Sequence, residues 1–150
     1  MTSLRKRIAS RLVESQQTAA ILSTFNEVDM TNVMAVRAKY KDMTAEKYGV
    51  RLGFMSFFVK AVVSALQEVP ALNASIEGDE IVQKHYYDIG VAVGTEQGLV
   101  EPVIRDCDKL SFWQIEAQIR EYAKKAQAKK LKLEDMTGGC FTVSNGGVYG

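Results

Sequence analysis

The feature that most restricts the fold of this chain is an apolar segment from Phe54 to Val69. Ser56, Lys60 and Ser64 interrupt it, so it is too short and too polar to span a membrane and instead predicts a helix. Pro70 cannot continue a helix and therefore marks its end. A helix that is apolar nearly all round is expected to be buried in a protein core.

Two further helices are predicted before this segment. The first begins near Thr2 or Ser3, either of which can cap it, and has apolar residues four positions apart between Leu4 and Leu12. The second runs from a cap at Thr31 to about Tyr48, where Gly49 follows at the position that often ends a helix.

The helix with the clearest start signal follows residue 111. Ser111 and Gln114 have the spacing of a capping box, and Ile115 and Ile119 mark a buried face. The tail of this helix, Lys124 to Lys132, is strongly basic. A solvated helix end with favourable charge is the simpler interpretation, and attraction of an acidic cofactor is the alternative.

Strand segments lie between these helices. They are Ile21–Val28, a hairpin over Ala74–Val82 that turns at Glu77-Gly78-Asp79, then Tyr87–Val93, Leu99–Ile104 and Cys140–Ser144. Helices and strands thus mix in one domain without strict βαβ regularity. We therefore predict an α/β two-layer sandwich with a mixed sheet.

Charge and composition exclude several classes of function. The chain has 19 basic and 18 acidic residues, and this net charge of +1 does not favour a nucleic-acid partner. Cys107 and Cys140 form no CxxC pattern and His85 is the single histidine, so we expect free thiols and no metal site. No run reaches about 18 apolar residues, so no membrane partner is expected.

The stretch Ser144-Asn145-Gly146-Gly147 is the most suggestive chemical signal. It brings a hydroxyl, an amide and backbone N–H groups to the end of a predicted strand, where they could serve an oxyanion or a ligand carbonyl. An ordinary Asn-Gly turn explains the same residues. The spacing is not that of a dinucleotide-binding GxGxxG motif.

Three single residues have two interpretations each. Arg37, on a predicted helix, is either a surface residue or a phosphate-binding fork. Lys60 either extends along the edge of the core or has its charge paired at a site. His85 fits a surface strand, because no aspartate motif accompanies it. From these residues alone, no complete acid–base arrangement is present.

Six segments together resemble the dihydrolipoamide acyltransferases, the second component of 2-oxoacid dehydrogenase complexes. They are Met1–Leu12 (MTSLRKRIASRL), Thr24–Met30 (TFNEVDM), Leu52–Ala61 (LGFMSFFVKA), Asn73–Ile76 (NASI), Gly98–Val100 (GLV) with Pro102-Val103, and Leu133–Gly139 (LEDMTGG). Their order and spacing match from residue 1 to residue 150. The resemblance implies that residues 1–150 are the N-terminal portion of an acyltransferase catalytic domain.

Within this family, Thr24–Glu27 and Ser144–Val148 resemble the succinyl-transferring branch more than the acetyl or branched-chain branches. Thr95–Gly98 (TEQG) departs from that pattern and is more similar to the branched-chain branch. The resemblance as a whole implies transfer of a succinyl group between a dihydrolipoyl arm, carried on a separate domain, and coenzyme A. Such a protein serves the 2-oxoglutarate dehydrogenase complex of the tricarboxylic acid cycle, in the bacterial cytoplasm or the mitochondrial matrix.

The family also implies a fold and an assembly. The fold is chloramphenicol-acetyltransferase-like, and we expect it to be incomplete at the C-terminus here. Homotrimers with active sites at subunit interfaces build a hollow core that works with dehydrogenase and dihydrolipoamide dehydrogenase components. Neither metal, nucleic acid nor membrane is implied.

The resemblance assigns roles to five residues. Ser144 matches the hydroxyl that donates to the tetrahedral oxyanion. Arg37, Ser144 and Asn145 match positions that contact coenzyme A, and Gly53 and Gly94 match contact positions where a glycine offers only its backbone.

The family's His-Arg-x-x-Asp-Gly signature, which carries the general base, is not found in these 150 residues, and His85 does not match it. The expectation is a C-terminally truncated domain that is inactive by itself. One alternative is a non-catalytic core or assembly fragment. Another is a basic binding module that uses Arg5–Arg11 and Lys124–Lys132, against which the near-neutral net charge argues.

Overall fold

The computed structural model describes residues 1–95 and 98–147, apart from the side chains of Ser3 and Leu4. Glu96 and Gln97, from the TEQG stretch, and residues 148–150, at the end of the Gly-rich stretch, lie outside the described residues. The chain divides into two units, Met1–Met30 and Thr31–Gly150, and each is described by itself.

The first unit contains one helix, α1 (Ser3–Thr18). The hydroxyl oxygen of Thr2 accepts a hydrogen bond of 3.3 Å from the backbone N–H of Arg5, which confirms the predicted helix and its cap. The predicted strand Ile21–Val28 is wrong, because these residues belong to no described strand. A strand needs a hydrogen-bonded neighbour, and here the apolar side chains stay exposed, with Phe25 94% accessible.

The described residues of the second unit form three long helices, α2 (Thr31–Tyr48), α3 (Met55–Glu68) and α4 (Phe112–Gln127). Their ends confirm the predicted signals. Gly49 follows α2 with φ +69°, a left-handed conformation that favours glycine. At the start of α4 the side-chain oxygen of Gln114 accepts a hydrogen bond of 2.8 Å from the backbone N–H of Ser111.

Helix α3 is buried on one face and not all round, which corrects the prediction for this segment. Ser56, Val59, Val63 and Leu66 form the buried face, at spacings of three and four residues. Phe58 on another face is 42% exposed. The apolar composition of this segment therefore predicted more burial than the described residues provide.

The strands are β1 (Ala74–Glu77), β2 (Glu80–Gln83), β3 (Ile89–Val91), β4 (Val93–Thr95), β5 (Gly98–Val100), β6 (Val103–Ile104) and β7 (Phe141–Val143). The β1–β2 and β4–β5 pairs are antiparallel hairpins. In the three-stranded central sheet, of order β6-β3-β7, β6 is antiparallel and β7 parallel to β3. The mixed sheet and the hairpin at residues 74–82 are thus confirmed.

The predicted strands Tyr87–Val93 and Leu99–Ile104 each break into two. Strands β3 and β6 belong to the central sheet, whereas β4 and β5 form a separate hairpin. Pro102 lies at the second break, where a residue without a backbone N–H cannot complete the ladder. Its carbonyl oxygen still accepts a hydrogen bond of 2.9 Å from the N–H of Val91.

The hydrophobic core lies between the central sheet and the helices α3 and α4. It consists of Val59, Val63, Leu66, Ile89, Val91, Ile104, Cys107 and Ile115. Ile89 and Val91 point towards the helices, so Gly90 between them faces the other side of the sheet. This arrangement confirms the two-layer α/β class. Among the described helices, none combines the length and the apolar character that a membrane span requires.

Because Ile89 is 0% exposed in this core, we expect Ile89→Ala to lower the free energy of unfolding by about 2–5 kcal/mol. The matched control is Ile81→Ala, at a residue that is 77% exposed on β2, where a change within about 0.5 kcal/mol is expected. Urea denaturation of the three proteins measures both. Equal losses at the two positions would contradict the assignment of Ile89 to the core.

Candidate functional site

Strand β7 carries Ser144 to one end of the central sheet. Val143 packs against the core, so Thr142 and Ser144 point to the opposite face. The N–H of Ala92, just after β3, donates a hydrogen bond of 3.0 Å to the carbonyl oxygen of Val143. Ser144 therefore follows the last paired residue of β7 and is exposed beside Ala92.

A carboxylate lies on this same face, and the sequence analysis missed it. The hydroxyl of Thr142 donates a hydrogen bond to the carboxylate of Glu101. That carboxylate lies over Gly90, where a Cβ atom would overlap with it. The available signal was Gly90 itself, because a glycine between two buried strand residues marks a close approach.

The residues after Ser144 form a local turn. The side-chain oxygen of Asn145 accepts a hydrogen bond of 3.0 Å from the N–H of Gly147, the geometry by which asparagine favours turns. The turn and the oxyanion interpretations are therefore compatible, because the turn uses the amide oxygen of Asn145 and not the hydroxyl of Ser144, a residue that is exposed. Gly94, in the middle of β4 and two residues after Ala92, is also exposed.

Arg37 and Gly53 form a second group around Phe54. The guanidinium carbon of Arg37 lies 4.7 Å from the centroid of the Phe54 ring, within the range of a cation–π contact. The Nε atom of Arg37 is buried and has no hydrogen-bond partner among the described residues. A buried donor without a partner is costly, so this atom is a point at which a ligand acceptor would be favourable.

A glycine at residue 53 is also required by the packing of α4 against the start of α3. A Cβ atom there would lie 2.7 Å from one carboxylate oxygen of Glu116 on α4. The other oxygen of Glu116 accepts a hydrogen bond of 2.9 Å from the backbone N–H of Ser56, in the first turn of α3. The negative charge stabilises the positive end of the helix, and the absence of a side chain at residue 53 lets it approach.

Two residues with open interpretations are now placed. The ammonium group of Lys60 donates hydrogen bonds of 3.0 Å to the carbonyl oxygens of Cys107 and Asp108, so it joins α3 to the loop before α4. His85 is exposed and precedes β3, whereas Ser144 lies beyond the other end of that strand. His85 is therefore not placed to act as a general base on a thiol beside Ser144.

Neither cysteine has the properties of a nucleophile. Burial raises the pKa of the Cys107 thiol to about 11 and raises the pKa of the Cys140 thiol as well, so both stay protonated at neutral pH. Both thiols are unpaired. In the described part of the chain, no three His, Cys, Asp or Glu side chains are grouped so as to hold a metal ion.

Comparison with known proteins gives one family. The sequence model of the family described as 2-oxoacid dehydrogenases acyltransferase (catalytic domain) matches residues 1–150. The chain is 61% identical over 150 residues to the dihydrolipoyllysine-residue succinyltransferase component of the 2-oxoglutarate dehydrogenase complex of Rickettsia bellii. It is 59% identical over 150 residues to a mitochondrial component of the same name from Arabidopsis thaliana.

These relatives are much longer than the chain. All 150 residues are covered in both comparisons, but they span 38% of the Rickettsia protein and 32% of the Arabidopsis protein. Among solved structures, the cubic core of a pyruvate dehydrogenase multienzyme complex superposes with a TM-score of 0.93 at 38% identity. That match covers 100% of this chain and 62% of the other.

The different burial of the two thiols leads to a prediction about their chemical labelling. At pH 8 we expect a thiol reagent to modify Cys140 first, because its side chain is partly accessible, and to modify the fully buried Cys107 only on unfolding. In denaturant, the labelling rates of Cys140 and Cys107 should become similar. Cys140→Ser should remove the faster phase and Cys107→Ala should keep it, as followed by mass spectrometry. Fast labelling of Cys107 in the folded protein would contradict its burial.

Proposed function

Because the chain belongs to the 2-oxoacid dehydrogenase acyltransferase family and is part of its catalytic domain, we propose that it carries one side of an acyl-transfer site. The reaction moves a succinyl group between a dihydrolipoyl arm and coenzyme A. The observation that carries the proposal is the exposed position of Ser144 at the end of β7, on the face of the central sheet opposite the core.

The succinyl group is supported over other acyl groups by the relatives. Proteins named as succinyltransferase components share 55–61% identity with the chain, whereas the pyruvate dehydrogenase core shares 38%. The same names support a place in a 2-oxoglutarate dehydrogenase complex. The TEQG stretch resembles the branched-chain branch, and Glu96 and Gln97 within it lie outside the described residues.

In this reaction a thiol loses its proton to a general base and attacks the carbonyl carbon of the thioester. The carbonyl oxygen gains negative charge in the tetrahedral intermediate, and the hydroxyl of Ser144 donates a hydrogen bond to it. Collapse of the intermediate breaks the original C–S bond, and the leaving thiolate takes up the proton. We assign the base to a histidine outside these 150 residues, because His85 lies at the other end of β3.

Coenzyme A is the second substrate, and its phosphates suit the group around Arg37. The guanidinium packs on Phe54, which restricts its orientation, and no described residue supplies an acceptor for its buried Nε. In this proposal Gly53, which precedes Phe54, and Gly94, in β4, supply backbone contacts, and Asn145, which follows Ser144, supplies an amide contact. The dihydrolipoyl group would arrive on a separate domain.

The assembly and location are inferred from the same relatives. One solved structure similar to the chain is the cubic core of a multienzyme complex, which supports a multimeric core for this protein. The homotrimers within that core are proposed from the family resemblance alone. Dehydrogenase and dihydrolipoamide dehydrogenase components would be its partners. A Rickettsia relative and a mitochondrial one from a plant support the bacterial cytoplasm or the mitochondrial matrix.

The proposal is tested by measuring succinyl transfer from succinyl-coenzyme A to dihydrolipoamide. In a polypeptide extended to the length of its relatives, Ser144→Ala should lower the rate by roughly 10²-fold or more, because an oxyanion donor is lost. His85→Ala is the control and should leave turnover intact. An unchanged rate in Ser144→Ala would remove that serine from the mechanism.

The 150-residue chain assayed beside the extended polypeptide locates the base. Activity in the extended polypeptide alone is expected. Activity in the 150-residue chain would show that the base lies within it and would make His85 the first residue to reconsider. Acetyl-coenzyme A as donor should be used poorly, and equal use of the two donors would overturn the succinyl assignment.

The contact of Arg37 with a phosphate has its own prediction. Arg37→Gln should raise KM for succinyl-coenzyme A by roughly 10-fold with a smaller change in kcat, because a charge-assisted hydrogen bond to the substrate is lost. The matched control is Arg51→Gln, whose guanidinium pairs with Asp42 at 3.9 Å on the surface. An unchanged KM in Arg37→Gln would leave Arg37 a surface residue packed on Phe54.

A further inference from the structure

One arginine on the face that carries Ser144 connects three parts of the central sheet. Arg105, which follows β6, donates a hydrogen bond of 2.9 Å from Nη1 to the carboxylate of Asp88. Its Nη2 donates to the carbonyl oxygens of Glu134, at 3.0 Å, and Thr137, at 2.6 Å. These two carbonyls belong to the segment that leads into β7, so Arg105 holds that segment against the start of β3.

Asp88 completes this connection. Its second carboxylate oxygen accepts a hydrogen bond of 2.9 Å from the N–H of Asp106, and its backbone oxygen accepts one of 2.8 Å from the N–H of Cys140. The carboxylate side chain is 14% exposed and that of Arg105 is 42% exposed. The pair is thus partly shielded from solvent, and hydrogen bonds with charged partners are stronger than neutral ones.

Strand β7 needs such an anchor because its own pairing is short. It has three residues, all paired with β3, and it is the terminal strand of the described central sheet. Side chains alternate between the two faces of a sheet, so a shift of one residue in this pairing would reverse every side chain of β7. Ser144 would then point towards the core helices.

We propose that Arg105 is a positioning residue for acyl transfer, which fixes the register of β7 on β3 and thereby the face on which the Ser144 hydroxyl lies. The inference rests on the proposed role of Ser144. Arg105 touches neither substrate in this proposal, and acts through the two carbonyl oxygens that it binds before β7.

Gly138 supports the assignment from the other side of the contact. Its φ of +80° lies in the left-handed region, and a Cβ atom there would lie 3.0 Å from Nη1 of Arg105. The following Gly139 lies close to Val103 of β6, since its Cβ would come within 3.3 Å of a methyl carbon. The two glycines let the chain pass closely over β6, where the guanidinium binds it.

The test compares variants of the extended polypeptide in the succinyl-transfer assay. Arg105→Gln should lower kcat by roughly 10- to 100-fold, as a displaced catalytic group does, while KM for succinyl-coenzyme A changes by less than about twofold. Arg105→Lys, which keeps the charge for Asp88 but not the fork, should recover part of the loss. The control is Lys109→Gln, which removes an exposed neighbouring ion pair with Asp106 and should not change kcat.

Hydrogen exchange supplies a readout that does not depend on the chemistry. Arg105→Gln and Gly138→Ala should each speed exchange of the amides of Cys140 and Ala92, which bond across the β3–β7 pairing, and spare those of α3. Gly138→Ala also serves if Arg105→Gln does not fold. Unchanged exchange at both amides, or an unchanged kcat in folded Arg105→Gln, would overturn the proposal.

The two proposals fail in different ways. If Ser144→Ala keeps its rate while Arg105→Gln still speeds exchange at Cys140, the anchoring role stands and the role of Ser144 falls. If Ser144→Ala loses its rate while exchange and kcat are both unchanged in Arg105→Gln, the role of Ser144 stands and the positioning role falls.

Discussion

Strand β3 is the element on which the group around Ser144 depends, because it is paired on both sides and buried on its helix face. Ile89 and Val91 are held in the core, and this fixes which way the residues between and after them point. Gly90, facing the other way, leaves room for the carboxylate of Glu101, and Ala92 binds the last residue of β7. The position of Ser144 thus follows from the burial of two side chains on a neighbouring strand.

Besides Lys60, two charged side chains join elements of this unit through hydrogen bonds to backbone groups. Glu116 on α4 binds the first turn of α3 and approaches because residue 53 is a glycine. Arg105 and Asp88 bind the segment before β7 in a similar manner, with Gly138 in the left-handed conformation beside them. In both places a glycine is needed because a charged side chain passes close to the backbone, in addition to any contact with a substrate.

The success of sequence reasoning differed with the kind of signal. End signals that act within a few residues, such as Gly49 after α2 and Gln114 at the start of α4, predicted helix ends correctly. Strand signals were weaker, because a strand exists through its neighbour. The alternating segment Ile21–Val28 pairs with no described strand, and the predicted strand Tyr87–Val93 divides where its two parts join different sheets.

The sequence by itself determined the family, the α/β class and the helices, because motif order, local periodicity and capping depend on residues that are close together in the chain. The roles of the five candidate residues stay predictions from the family resemblance. Only the tertiary structure decided that α3 is buried on one face, that Glu101 lies beside Thr142, and that Arg105 joins three segments. Those facts depend on residues that are about 30 to 40 positions apart in the chain or on opposite strands. No local pattern specifies such contacts, since they form only when the sheet has placed its strands side by side.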